Sequence, residues 1–212
     1  MMAIFFDLDG TLSDPKEGIT KSIEYALKAM DVTVPEVDDL LWCIGPPLRK
    51  SFEFLLAGEE RVEEAMFLYR ERFADVGLYE NNLYSEIPAL LTELEAKGLD
   101  LYVATSKPYV YAKEIIQHFG LAPYFKDIYG SELDGTRGDK GELLKYALFE
   151  AGCDAQSSVM VGDREHDAIG ALKNKMTSIG VLYGYGSKEE LERAGVHYLV
   201  ESPSDITMLV CR

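Results

Sequence analysis

The chain has 212 residues, 47% hydrophobic and 27% charged, enough to bury a core without disulfide or metal staples. Its 37 acidic residues against 21 basic ones leave a formal charge of −16. That balance argues against nucleic acids and anionic membrane surfaces as partners, since both are held by basic patches.

Cys43, Cys153 and Cys211 are far apart and form no CxxC pair, which points to a reducing compartment. The apolar N-terminus meets Asp7 too early for a signal-peptide core, and no stretch approaches the ~18 apolar residues of a membrane span. A soluble, cytoplasmic protein is expected.

In chain order, Ala3–Phe6 predicts a buried strand, followed at once by Asp7, Asp9 and Gly10. Residues 14–82 show no convincing strand but three helical patterns. Ile19, Ile23, Ala26, Leu27 and Met30 mark the first; "PPLRKSFEFLL" and "RVEEAMFLYRERF" carry the others. The aromatic residues of the last, Phe67, Tyr69 and Phe73, are expected to pack between helices. Ile87, Leu90, Leu91 and Leu94 predict the next helix, then strands at 99–104 and 127–130, with a helix over Leu143, Leu144, Ala147 and Leu148. Further strands fall at 157–162, 177–182 and 197–200, and Ser187 with Glu190 predicts a capping box. Strand–helix alternation of this kind predicts an α/β fold, a Rossmann-like parallel sheet with helices on both faces. The expected domains are a core of residues 1–13 and 83–212 and an inserted helical cap of residues 14–82. Hinges are expected near Ser13–Lys16 and Glu80–Tyr84.

Ligands of open parallel sheets sit beyond the carboxyl ends of the strands. There this sequence places Asp7 and Asp9, then Thr105, Ser106 and Lys107, then Gly162, Asp163 and Asp167, with Lys140 opening a helix. Crowded carboxylates need a cation to stay ionised, and an all-oxygen set suits Mg²⁺. The amides of the Gly10–Thr11 turn are candidates to cradle a phosphate. Each feature also has a plain structural reading. An aspartate after a strand serves in turns, "GDREHD" reads as a capped helix start, and "TSKP" reads as a simple helix entry.

Taken together, "FFDLDGTLSD", "LYVATSKP", Lys140 and "VMVGDREHDAIGA" resemble the four motifs of the haloacid dehalogenase superfamily of phosphohydrolases. "GDKGE" lacks the Lys-Pro pair that many members carry. "IGPPLRKSF" and "GVLYGYGSKEEL" look closest to its phosphoglycolate phosphatase and 5′-nucleotidase-like branch. The resemblance implies an Mg²⁺-dependent phosphatase of small phosphomonoesters. It makes Asp7 the nucleophile and Asp9 the acid and base, with the Asp9 backbone carbonyl toward the metal. Asp163 is then the direct metal ligand with Asp167 acting through water, and Thr105, Ser106 and Lys140 hold the phosphoryl group. An aspartate at position 9 also speaks against a dehalogenase.

Arg49 is a candidate substrate contact, or else an exposed arginine paired with Glu53. Lys16 and Lys21 read as solvated lysines and His166 as a bystander, while His118 and His197 have no partners at ligand spacing. "YGYGSK" supports dinucleotide binding only weakly. Cap closure around the substrate is expected from the inserted layout. The alternatives are a sugar phosphomutase of the same superfamily, and a receiver-like or non-catalytic phosphate-binding protein. The expected partner is a small phosphorylated metabolite, and the expected state a monomer or homodimer.

Overall fold

The computed structural model describes residues 2–210. Cys211, one of the three thiols read as bystanders, lies outside them; Cys43 is buried and Cys153 half-buried. Two compact units divide the chain, one of Met1–Asp14 with Leu83–Arg212, the other of Pro15–Asn82.

The first unit is built on a six-stranded sheet. β1 (Ala3–Phe6), β4 (Asp100–Pro108), β5 (Asp127–Ser131), β6 (Ser158–Gly162), β7 (Thr177–Val181) and β8 (Tyr198–Val200) lie in the order β5-β4-β1-β6-β7-β8. Neighbouring strands pair in parallel throughout. Because β1 runs between two strands and under helices, all four of its residues are buried, which is why it reads as an unbroken apolar run. The chain leaves β1 toward β4 and β5, then returns on the other side through β6. The carboxyl end of β1 is therefore the switch point of the sheet, where its loop and that of β6 diverge.

The intervening helices are α4 (Ile87–Ala96), α5 (Tyr109–His118), α6 (Lys140–Ala151), α7 (Glu165–Lys173), α8 (Lys188–Arg193) and α9 (Pro203–Val210). Leu143, Leu144, Ala147 and Leu148 of α6 pack with Phe5, Tyr102, Met160 and Met176, and the Phe5 and Tyr102 rings stack at 4.9 Å. This anchors the strand that carries the two aspartates.

Two differences from the sequence reading concern backbone detail. β4 runs past residue 104, and its register against β5 jumps between Thr105 and Pro108, so that Ser106 and Lys107 are extra residues in a bulge. The segment read as strand-free is bounded by two short strands, β2 (Ser13–Asp14) and β3 (Asn82–Leu83), which form a sheet of their own.

The second unit contains α1 (Lys16–Ala29), a 3₁₀ segment (Val37–Cys43), α2 (Leu48–Leu55) and α3 (Val62–Arg72), which passes into a π turn at Phe73–Gly77. Tyr69 stacks on Phe73 at 5.2 Å and meets Phe52 edge-on. Phe67 does not join them. It is 67% exposed, because the buried stripe of α3 follows Val62, Ala65, Met66, Tyr69 and Phe73 and leaves position 67 on the far side. Lys16 pairs with Asp38, and Lys21 with Glu17 and Glu80, so neither is merely solvated.

Candidate active site

Asp7 ends the hydrogen-bonded run of β1, its N–H donating to the Val161 carbonyl of β6 at 2.8 Å. That bond fixes its carboxylate at the junction of the two central strands. On the β6 side lie Asp163 and, one turn into α7, Asp167. One oxygen from each of Asp7, Asp163 and Asp167 lies within 4.8 Å of the others, and all three residues are buried.

Lys140 opens α6 and reaches into this cluster. Its Nζ lies 2.9 Å from Asp7 Oδ1 and 2.8 Å from Asp167 Oδ1, and donates to the Ala104 carbonyl at 2.9 Å. Three oxygens of the protein therefore lie within 3 Å of the ammonium. Burial pulls the ammonium toward neutrality, but Asp167 and Asp7 outweigh it and raise its pKa, so it stays charged. The ammonium meets the two Oδ1 atoms as an ion pair without hydrogen-bond alignment, and both oxygens lack a hydrogen-bond partner.

Asp167 satisfies both of its sequence readings at once. Its Oδ2 accepts the Arg164 N–H at 3.1 Å and caps α7, while its Oδ1 faces Lys140. Burial pushes its pKa up to about 6 against the pull of Lys140. Burial also raises the Asp163 pKa well above its ordinary value, with Asp167 and Asp7 adding to it. The Asp163 Oδ2 accepts the Tyr185 N–H at 2.8 Å, and Thr11 Oγ1 donates to its Oδ1 at 3.4 Å.

Asp9 turns its carboxylate elsewhere. Its Oδ2 lies 2.6 Å from Lys107 Nζ, and its buried Oδ1 has no hydrogen-bond partner. Burial raises its pKa, with Lys107 acting in the opposite sense. Thr105 is buried and its Oγ1 accepts the Lys107 N–H at 3.2 Å. The Ser106 carbonyl accepts from Ser131 Oγ at 2.8 Å, which holds the bulge.

Asp7, Asp9, Thr105, Lys140, Asp163 and Asp167 thus converge on one end of the sheet. The Gly10–Thr11 amides do not present themselves to a ligand. Gly10 donates to the Ser13 carbonyl at 2.8 Å and Thr11 to that of Leu8 at 3.3 Å, because the chain closes a tight turn there. Gly10 has φ +81°, and a Cβ there would lie 2.2 Å from Asp163 Oδ2. Arg49 belongs to the second unit, where it pairs with Glu63 rather than Glu53 and stays 47% exposed. His197 Nδ1 lies 2.9 Å from Ser178 Oγ, and His118 packs on Phe119. Burial lowers the pKa of His166, which is not one of the clustered ligands. Among the described residues, no helix is long and apolar enough to cross a membrane.

Three contributors to the site lie outside the catalytic and metal-ligand set that the sequence suggested. Lys107 stood among the residues expected beyond the second strand, but no partner was assigned to it. The "YGYG" loop carries Tyr185, and a Cβ on Gly184 would lie 2.3 Å from that of Asp163. Glu190, expected to close a capping box with Ser187, accepts instead from Arg164 Nε and the Glu165 N–H. Only the Ser187 half of that box is made.

The donor set fits a divalent cation. Four buried carboxylates, those of residues 7, 9, 163 and 167, face two ammonium groups, those of Lys107 and Lys140. With all four carboxylates ionised, the remaining charge of −2 is offset by one divalent ion, and the ligand atoms are all oxygens, as Mg²⁺ requires.

The haloacid dehalogenase-like hydrolase family matches residues 4–181. A 5′-nucleotidase of Pseudomonas aeruginosa is 48% identical over 200 residues, covering 93% of this chain and 90% of that protein. The tyrosine-protein kinase PtkA of Mycobacterium tuberculosis is 37% identical over 90% of this chain, which spans 65% of that longer protein. Phosphoglycolate phosphatases of Colwellia psychrerythraea and Vibrio parahaemolyticus are more distant, at 23% and 26% identity over 99% and 98% of this chain. They cover 96% and 95% of their own lengths. A crystal structure described as a "predicted phosphatase" from Clostridium acetobutylicum superposes with a TM-score of 0.96 and 44% identity, over 100% of this chain and 99% of that one.

Proposed function

The chain belongs to the haloacid dehalogenase-like hydrolases and is a phosphoric monoester hydrolase, and from that premise we propose that it works through an aspartyl-phosphate on Asp7. An oxygen of Asp7 attacks phosphorus, and the bond from phosphorus to the ester oxygen breaks. Asp9 gives its proton to the departing alkoxide. In the second step water attacks phosphorus, its proton passes to Asp9, and inorganic phosphate leaves as the Asp7 carboxylate is regenerated. Dividing hydrolysis in this way replaces one difficult displacement by two easier ones.

Each step draws on a local feature. Burial raises the Asp9 pKa, the direction that favours an acid, with Lys107 acting against it. Thr105 Oγ1 already accepts from Lys107, so its own proton is available to a phosphoryl oxygen. Lys140 holds the Asp7 carboxylate by an ion pair at 2.9 Å. Magnesium held by Asp7, Asp163 and Asp167, with the Asp9 carbonyl, would supply Lewis-acid polarisation of a phosphoryl oxygen. The single observation that carries this reading is the buried cluster of Asp7, Asp163, Asp167 and Lys140, beside an Asp9 whose second oxygen is unpartnered.

For substrate, the proposal is a nucleoside 5′-monophosphate, on the strength of the relative at 48% identity. The unit of residues 15–82 is read as the cap that selects the leaving group, with the half-exposed Arg49 as a candidate contact. The test is phosphate release from nucleoside 5′-monophosphates, phosphoglycolate and hexose phosphates, with Mg²⁺ or EDTA, for the native protein and Asp7→Asn. Metal-dependent release lost in Asp7→Asn supports the reading. Recovery of an isomeric phosphate ester in place of inorganic phosphate would make the protein a mutase.

A further inference from the structure

We propose that Lys107 is a positioning residue that aims the Asp9 carboxyl at the leaving oxygen, through an ion pair supplied by the bulge in β4. This rests on the reading of Asp9 as the proton donor. It adds a residue that no part of that reading requires.

Three observations converge. The first is the backbone. β4 and β5 pair regularly as far as Thr105 with Gly130, and the next pair is Pro108 with Ser131. Ser106 and Lys107 are inserted between two successive partners, and such a bulge redirects a side chain that regular pleating would send elsewhere. The Ser131 hydroxyl and the Thr105 oxygen hold the inserted residues from either side. The second is the contact, with Lys107 Nζ 2.6 Å from Asp9 Oδ2 and side chains only 6% and 11% exposed. An ammonium on a four-carbon stem that is almost wholly buried has lost its rotational freedom, so the pair is geometrically defined. The third is the asymmetry of the carboxyl. Asp9 Oδ2 is held while buried Oδ1 has no hydrogen-bond partner. A carboxyl pinned by one oxygen presents the other in a single direction, as transfer of a proton to a departing oxygen requires.

The consequence is dependence on the leaving group. An aryl oxide departs with little help from an acid, whereas an alkoxide needs its proton. Removing Lys107 should therefore damage alkyl esters selectively. The experiment compares native protein, Lys107→Met and Lys107→Arg on p-nitrophenyl phosphate and on an alkyl phosphate, a nucleoside 5′-monophosphate, with saturating Mg²⁺. Lys107→Met is expected to lose roughly tenfold to a hundredfold in kcat on the alkyl ester. The loss on the aryl ester should be several-fold smaller, with KM near the native value on both. Lys107→Arg should recover part of the alkyl rate. In an Asp9→Asn background, Lys107→Met should cost little more, since a residue acting through Asp9 has nothing left to aim.

Equal losses on both esters, or additive losses with Asp9→Asn, would overturn the inference and leave the phosphatase reading intact. A native protein that hydrolyses neither ester would instead overturn the phosphatase reading, and this inference with it.

Discussion

Without a divalent cation, the carboxylate cluster should make the protein less stable at neutral pH than in mild acid. Asp167 carries the largest share that can be worked out. Burial holds its pKa at about 6 against an ordinary value of 3.8, even with Lys140 beside it. Between those values the folded state binds more protons than the unfolded chain, so stability falls as the pH rises through that window. At about 1.4 kcal/mol per pH unit, the full window is worth about 3 kcal/mol. Asp167→Asn isolates this, because an amide does not titrate and its oxygen still accepts from the Arg164 N–H. Urea unfolding in EDTA at pH 4 and pH 7.5 should show the native protein losing about 2 kcal/mol relative to the variant, or roughly 1 M in midpoint. Excess Mg²⁺, binding only the folded state, should reverse most of that loss in the native protein. A native-to-variant difference that is flat with pH, or that grows in favour of the native protein toward neutrality, would refute the reasoning.

Lys140→Met removes the ammonium that lies within 3 Å of both Asp7 and Asp167, and urea unfolding at pH 7 in EDTA should show a loss of about 3–5 kcal/mol. Gly184→Ala places a Cβ 2.3 Å from that of Asp163 and 2.4 Å from the Gly10 carbonyl. It should cost about 1–3 kcal/mol and raise the Mg²⁺ concentration needed for half-maximal phosphate release. In the second unit, Arg72 grips both oxygens of Glu80 at 2.8 and 3.0 Å. Arg72→Met should destabilise by about 1–3 kcal/mol. That hydrogen bond from Arg72 lowers the Glu80 pKa, so the loss should be full above pH 4.5 and fade below it, as read by thermal unfolding across pH.

Much of the architecture was legible because burial leaves a mark on composition. β1, enclosed on both faces, must be apolar at every position, and α6 must repeat its leucines every three or four residues. The carboxylates were legible for the complementary reason, since charged residues directly after core strands conflict with burial unless they have work to do there. What sequence could not specify depends on groups meeting across long separations in the chain. Asp9 and Lys107 are 98 residues apart, and their contact depends on a register jump that no local pattern encodes. Phe67 and Tyr69 look alike in "AMFLYRERF", yet the packing of α3 buries only the second. Glu190 had the spacing of a capping residue, but Arg164 and the Glu165 N–H, brought close by α7, offered its carboxylate a better-charged partner. Sequence by itself determined which residue types stand at the carboxyl ends of the strands, because hydrophobic periodicity and strand ends are local properties. Only tertiary structure decided which oxygen each cation holds, because those distances arise from pairing, bulges and helix packing.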